Sequence, residues 1–275
     1  MYKIIKIDDL PLIKDMTEKQ AYEKISLNTV ERLECLEGFD LIAFDWYDIY
    51  NPRQETTRII IYFTDDTIIF ICRDDNAKSM LDLKVKDHTS TEKILSTFFV
   101  ELLKYDMDNL EDLEDQIFKF EDQLLTNPKA EIAREIVSFR RVLSLLKRYY
   151  EQLNSIIEEL LENDNELITS SHMKYFKVLD NRVDRLFLSV LHLQDYVSQT
   201  REAYQAQVDI EQNGIMRTFT VVTSIFLPLT LIVGWYGMNL KMPEFEWYYG
   251  YPFVILICMA VFLVCIIYFR KKKWM

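Results

Sequence analysis

Apolar residues follow three different periods along this chain. Within residues 1–90 they form short β-prone runs at 2–7, 39–47 (just after Gly38), 57–63 and 67–72. Asp65-Asp66 separates the last two runs, which predicts a hairpin. The stretch 17–36 has helical character instead. Together these predict a small sandwich-like α/β unit whose strand order the pattern leaves open. After Ser90 the spacing becomes helical. Thr89, Ser90 or Thr91 can cap a helix ending near Asp106, and Pro128 suits the first turn of a long helix to about Asn163. Residues 91–171 therefore read as a helical hairpin, acidic from Asp108 to Asp122. From His172 no proline occurs until Pro228. Leu179, Val183, Leu186, Val190, Leu193, Val197, Thr200 and Tyr204 alternate steps of four and three. That heptad stripe favours a parallel helical bundle or an antiparallel partner helix.

The third pattern is two runs without any charge, 218–236 and 251–269. Each spans roughly 28 Å as a helix, enough to cross the hydrocarbon core of a bilayer. The chain then divides into an α/β unit (1–90), the acidic hairpin (91–171), a stalk helix (172–217), a first span (218–236), a loop (237–250), a second span (251–269) and a basic tail (270–275). A continuous helix from His172 to Tyr236 would measure roughly 97 Å, with a stalk of roughly 65–70 Å outside the lipid.

Charge sharpens this picture. The whole chain carries −12. Residues 213–275 hold six basic and two acidic side chains, a net +4, which leaves −16 on the remainder. Arg270, Lys271, Lys272 and Lys273 follow the second span directly, so that end is expected in the cytoplasm, and two spans return the N-terminus there too. Residues 1–41 are charged throughout and contain no signal-peptide-like segment. An acidic cytoplasmic domain repels nucleic acid and attracts cations.

The heptad seam continues into the first span as Asn213, Met216, Thr220, Thr223, Leu227 and Thr230. One face is thus rich in hydroxyls, while Val221, Ile225, Leu229 and Ile232 make the opposite face aliphatic. The second span is apolar nearly all round. A first span facing a central axis and a second facing lipid account for both; Thr packing helix against helix is the plainer alternative. Two spans cannot enclose an aqueous path, so a pore requires an oligomer about a symmetry axis. No carboxylate lies within the spans, and neutral oxygens can accept hydrogen bonds from a hydrated ion without holding it fast. Asn239 and Asn213 offer such oxygens at the two ends of the stripe. Cys35, Cys72, Cys258 and Cys265 make no CxxC pair, and His88, His172 and His192 are scattered. With no Gly-rich phosphate loop or nucleophile–base pair to propose, an enzyme has least support.

Asn213-x-x-Met216, Pro228-Leu229-Thr230, Gly234-Trp235-Tyr236-Gly237-Met238-Asn239, Met242-Pro243-Glu244, Trp247-x-x-Gly250-Tyr251-Pro252 and Lys271-Lys272-Lys273-Trp274 together resemble the CorA-type magnesium channels. The close match covers about residues 213–275. The resemblance implies a funnel-shaped homopentamer in the cell membrane, with an α+β cytoplasmic domain, a long stalk helix and two C-terminal transmembrane helices. It implies Mg²⁺ influx, with Gly237, Met238 and Asn239 as the outer selectivity ring. Asn213, Met216, Thr220, Leu227 and Thr230 would face the pore, and Phe219 falls at a bulky apolar gate position. Family members close when cytoplasmic Mg²⁺ fills acidic sites between subunits. Here an acid common in the family's stalk is replaced by Val178; Asp180 or Asp184, with Asp45 or Asp48 from the α/β unit, are the candidate substitutes. The rivals are the same fold carrying Zn²⁺, Co²⁺ or Ni²⁺, and a non-conducting membrane-anchored sensor or scaffold.

Overall fold

The computed structural model describes residues 1–49, 51, 55–126, 131–238 and 247–274; for 123–126 and 131–133 it describes the backbone alone. The chain forms two compact units, Met1–Arg201 and Glu202–Met275. In the first, five strands make one sheet: β1 (Tyr2–Lys6), β2 (Leu33–Leu36), β3 (Phe39–Trp46), β4 (Thr57–Phe63) and β5 (Ile68–Cys72), in the order β1-β5-β4-β3-β2. β4 and β5 pair antiparallel, as the Asp65-Asp66 turn predicts, and β1 pairs parallel with β5. Both faces of the sheet are covered. Leu41, Ala43, Ile60, Tyr62, Ile69 and Ile71 pack with Ala21 and Ile25 of α1 (Lys19–Leu27). The alternate positions include Phe44 and Phe70, which meet Phe98 and Phe99 of α3 (Thr91–Leu102) at ring separations of 4.9–6.5 Å. That period-two division is why the strands read as nearly continuous apolar runs.

Residues 17–36 are not one helix. α1 stops at Asn28, which takes a left-handed φ of 54° and turns its N–H back to Ile25 and Lys24. The chain then extends into β2, and Gly38 at φ 83° makes the turn into β3. α2 (Asp75–Lys84) lacks a counterpart in the sequence reading; the Asp74 carboxylate caps it, accepting from the Ala77 N–H at 2.7 Å.

The helical hairpin consists of α4 (Asp106–Thr126) and α5 (Glu131–Glu162). Pro128 lies outside the described residues. The turn into α6 (Met173–Tyr236) is tied at several points. Asn163 brackets Ile168 with two hydrogen bonds, and Asn165 donates to Leu36 O and Asp40 Oδ1 at 2.7 Å each. The buried Glu92 of α3 accepts from the Thr169 N–H at 2.8 Å and lies 2.7 Å from His172 Nδ1.

From Leu179 to Thr200 the heptad stripe lies in this first unit, where its role differs from a seam between copies; its last member, Tyr204, falls in the second unit and is half-buried. Leu179, Val183, Leu186, Val190, Leu193, Val197 and Thr200 are each at most 3% exposed within a single chain. Their apolar surface is already spent inside the subunit. The α4 hairpin supplies part of the cover: Tyr196 packs edge-on against Phe118 at 5.0 Å and donates to Glu121. From Leu179 to Thr200 the stripe is therefore covered within its own chain and leaves no bare apolar seam there for another copy.

Candidate ion-conduction path

In the second unit α6 continues to Tyr236 and α7 runs Gly250–Lys271. Both are long and apolar enough to cross a membrane, and little of either apolar window is buried within the chain. They meet through Val221 and Ile225 of α6 and Phe269 of α7, with Leu229, Cys265 and Ile266 beside them. The aliphatic face of the first span, through Val221, Ile225 and Leu229, is thus the face that packs on α7.

At about 100° per residue, Asn213, Met216, Phe219, Thr220, Thr223, Leu227 and Thr230 lie on the other side of α6. All seven are exposed in the single chain, Met216 by 62%, Phe219 by 63% and Leu227 by 69%. The hydroxyls have a common arrangement. Thr220 donates to Met216 O, Thr223 to Phe219 O and Thr230 to Phe226 O, each at 2.8 Å. A threonine has one proton, and here it is used on the helix's own backbone. What each Thr presents outward is therefore its lone pairs. Such a face accepts hydrogen bonds from the water shell of a cation and offers nothing to an anion.

Pro228 sits within α6. It has no N–H, so the Ser224 carbonyl four residues earlier loses its usual partner. Cys265 of α7 supplies a weak donor there, its Sγ lying 3.9 Å from Ser224 O. Cys265 was not among the predicted site residues. Its signal in the sequence was indirect: a proline in an apolar span orphans a carbonyl, and a second span must provide a donor.

α6 ends in a turn through Gly237, whose N–H bonds Val233 O at 2.8 Å, while Met238 N–H reaches Trp235 O at 3.3 Å. A Cβ on Gly237 would stand 2.9 Å from Val233 O, so a side chain cannot fit without moving backbone. The first position of the Gly237-Met238-Asn239 motif thus has a steric reason to be glycine. Asn239 lies outside the described residues, as do Met242, Pro243, Glu244 and Glu246.

The four acids expected to sense Mg²⁺ lie in the first unit and are not gathered by one chain. Asp180 and Asp184 are one turn apart on α6. Burial first, and then the Asp184 charge, raise the Asp180 carboxyl above its ordinary value. Asp45, opposite Arg58 in the sheet, lines one cleft with Glu55, Arg73 and Asp74. Asp48 lines another with Lys84, Asp106 and Tyr149. Among the described residues no three acidic, histidine or cysteine side chains could hold a metal ion together. Beneath the Asp48 cleft the carboxyl of Asp106 is 6% exposed and accepts from the Tyr150 hydroxyl at 3.1 Å. Burial pushes it up to about 7, against the lowering effect of that hydrogen bond and of Lys84 and Arg182.

Residues 41–271 match the profile of the family described as CorA-like Mg²⁺ transporter protein. This chain belongs to that family. Similarity to individual CorA-like relatives is moderate. It is 30% identical over 167 residues to the cobalt/magnesium transport protein CorA of Thermotoga maritima, covering 60% of this chain and 48% of that protein. It is 30% identical over 215 residues to the magnesium transport protein CorA of Wolinella succinogenes, covering 75% of this chain and 56% of that one. The match thus spans about half the length of these curated relatives. Among solved structures, the complete CorA magnesium transporter from Methanocaldococcus jannaschii superposes with a TM-score of 0.78 at 21% identity, covering 99% of this chain and 90% of that one. The ZntB cytoplasmic domain from Vibrio parahaemolyticus gives a TM-score of 0.60 at 14% identity, covering 75% and 86%. At these identities the likenesses establish the fold: a soluble domain, a long helix and two candidate C-terminal membrane helices.

Proposed function

We propose that this chain forms a membrane channel, a homopentamer, through which Mg²⁺ enters the cell, and that cytoplasmic Mg²⁺ closes it. The observation that carries this reading is the free face of α6: uncharged, lined by threonine oxygens with outward lone pairs, and opposite the seam with α7. Mg²⁺ surrenders its waters reluctantly, so a path that hydrogen-bonds the hydrated ion suits it better than a ring of carboxylates. Several copies around an axis would turn these exposed faces inward and leave α7 toward lipid. Family membership supports the ion, and the number five rests on the resemblance. Met216, Phe219 and Leu227 would make an apolar constriction that stops a hydrated ion by dewetting. The filter would be Gly237, Met238 and Asn239, with Asn239 contacting the hydrated ion. Arg217 of α6 lies over the ring of Trp274, so the basic ends of both spans share one side, which supports placing both termini in the cytoplasm. Asp180, Asp184, Asp45 and Asp48 are the regulatory candidates, and a copy beside them would have to complete any site. A rival cargo has one motive, the cobalt in the printed name of the Thermotoga relative.

The test is uptake into liposomes with the purified chain. Mg²⁺ should enter, and Asn239→Ala should abolish entry while the assembly keeps its mass in detergent. Retained flux in that variant sinks the filter; Co²⁺ or Zn²⁺ flux with no Mg²⁺ flux sinks the choice of ion. A monomer or dimer that conducts sinks the pentamer.

A further inference from the structure

The basic end of the first span in α6 and that of α7 carry a positive cluster that meets no countercharge among the described residues. Arg217, Arg270, Lys271, Lys272 and Lys273 are all exposed, and none forms an ion pair among the described residues. The cluster is held in place. Lys273 takes a left-handed φ of 54°, and the Trp274 N–H turns back to Phe269 O at 3.0 Å. This helix-ending turn lays the Trp274 ring on Phe269, stacked at 6.0 Å and 27°. Phe269 is itself buried in the seam with Val221 and Ile225. Two cations from different helices then share the Trp274 ring: the Arg217 guanidinium and the Lys272 ammonium each lie 5.9 Å from its centroid. Lys272 also lies 5.4 Å from the Tyr268 ring. An aromatic quadrupole relieves part of the repulsion between them, but it carries no net charge.

We infer that this corner, Arg217 with Lys272 and Trp274, binds the phosphate of an anionic phospholipid headgroup and joins the two helices through it. The inference rests on the membrane reading above. Arg217 immediately precedes the uncharged span 218–236, and Arg270 immediately follows 251–269. Both charges therefore stand where headgroup phosphates lie, and Trp and Tyr beside them are the side chains that favour that layer. A phosphate between the two cations would tie α6 to α7 within one turn of Met216 and Phe219, so occupancy should also act on the constriction.

Full-length protein in neutral detergent, stripped of native lipid, is offered dioctanoyl phosphatidylglycerol or dioctanoyl phosphatidylcholine, and retained lipid is counted by mass spectrometry. The anionic lipid should be retained in excess, and raising the salt should release it. Arg217→Gln with Lys272→Gln should weaken retention about 25-fold, at about fivefold per base, while Arg217→Lys should preserve it. Equal retention of both lipids overturns the inference, as does anionic preference that survives the double substitution. Displacement by glycerol phosphate or inorganic phosphate at the lipid's own concentration assigns the site to a soluble anion and overturns it too. If the double variant melts earlier by the same amount in phosphatidylcholine and phosphatidylglycerol vesicles, the countercharge comes from acidic side chains of protein, and the lipid assignment fails. Should the double variant not assemble, the salt series and Arg217→Lys on otherwise intact protein still decide. Mg²⁺ flux measured in parallel separates the two readings: flux without lipid preference sinks only this site, and lipid preference without flux sinks only the channel.

Discussion

Replacing Asp106 with asparagine should remove that carboxyl's share of the pH dependence of the first unit's stability. The carboxyl is 6% exposed, and its value rises from 3.8 to about 7 on folding. A carboxyl raised in the fold keeps a proton that the unfolded chain has lost between those two values. Its contribution to stability is therefore greatest at low pH and falls as pH rises from about 4 to about 7, by about 1.4 kcal/mol per pH unit, or about 4 kcal/mol in all. Above about 7 the loss is complete. Asparagine keeps the size and an oxygen to accept from Tyr150, but it does not titrate. Parent and variant should match near pH 4, and by pH 8 the variant should lead by about 4 kcal/mol. For a domain of this size that is about 8–16 °C in melting temperature. The assay is a thermal melt of the full chain in detergent across pH 4–8. Tyr150→Phe is the control: removing the hydrogen bond that favours the ionised carboxyl should move the end of the slope to higher pH. If the melting-temperature difference between parent and Asp106→Asn stays within about 2 °C across the range, Asp106 is ionised throughout and the burial argument is wrong.

The path itself yields three further expectations. Thr223→Val keeps the shape of the side chain but removes its outward oxygen, so Mg²⁺ flux should fall with the assembly intact; unchanged flux would show that the hydroxyl face does not touch the ion. Gly237→Ala must displace Val233 O from 2.9 Å, so it should cut flux more than Gly234→Ala, which meets nothing within 4 Å; equal effects would refute the steric role. Asp180→Asn with Asp184→Asn should raise the Mg²⁺ concentration needed for closure, and a closing concentration that does not move places the sensor elsewhere.

The sequence carried the periodic elements well and the cooperative ones poorly. The runs of β3, β4 and β5, the Asp65-Asp66 hairpin and the limits of α6 and α7 follow from local apolar spacing and lack of charge. β2 was hidden because residues 33–36, Leu-Glu-Cys-Leu, gain strand geometry only by pairing with β3. The heptad stripe was legible as a buried seam, but its partner was not. Periodicity shows that a face is covered and says nothing of what covers it; here Phe118 and Glu121 of α4 supply part of the cover at Tyr196. The candidate path fared similarly. Which residues share the free face of α6 followed from spacing; that Val221 packs on Phe269, and that Cys265 answers the carbonyl orphaned by Pro228, required the second helix.

The two faces of α6 explain why neither helix would serve alone. A helix bearing Thr220, Thr223 and Thr230 on one side is a poor guest in lipid on that side, since each hydroxyl oxygen keeps unused lone pairs. The opposite side, Val221, Ile225 and Leu229, is satisfied by lipid or by another apolar helix equally well. Association there is consequently decided by shape and by polar exceptions, and the exception present is Ser224 O. Cys265 fills it from α7 at 3.9 Å, at the level where Pro228 has removed the backbone donor. Pro228→Ala should restore the backbone bond and free Cys265 from that task. Cys265→Val should then destabilise the parent but leave the Pro228→Ala background nearly unaffected. A double-mutant cycle on melting temperature reads this coupling directly, and additive losses would mean that the thiol and the proline are unrelated.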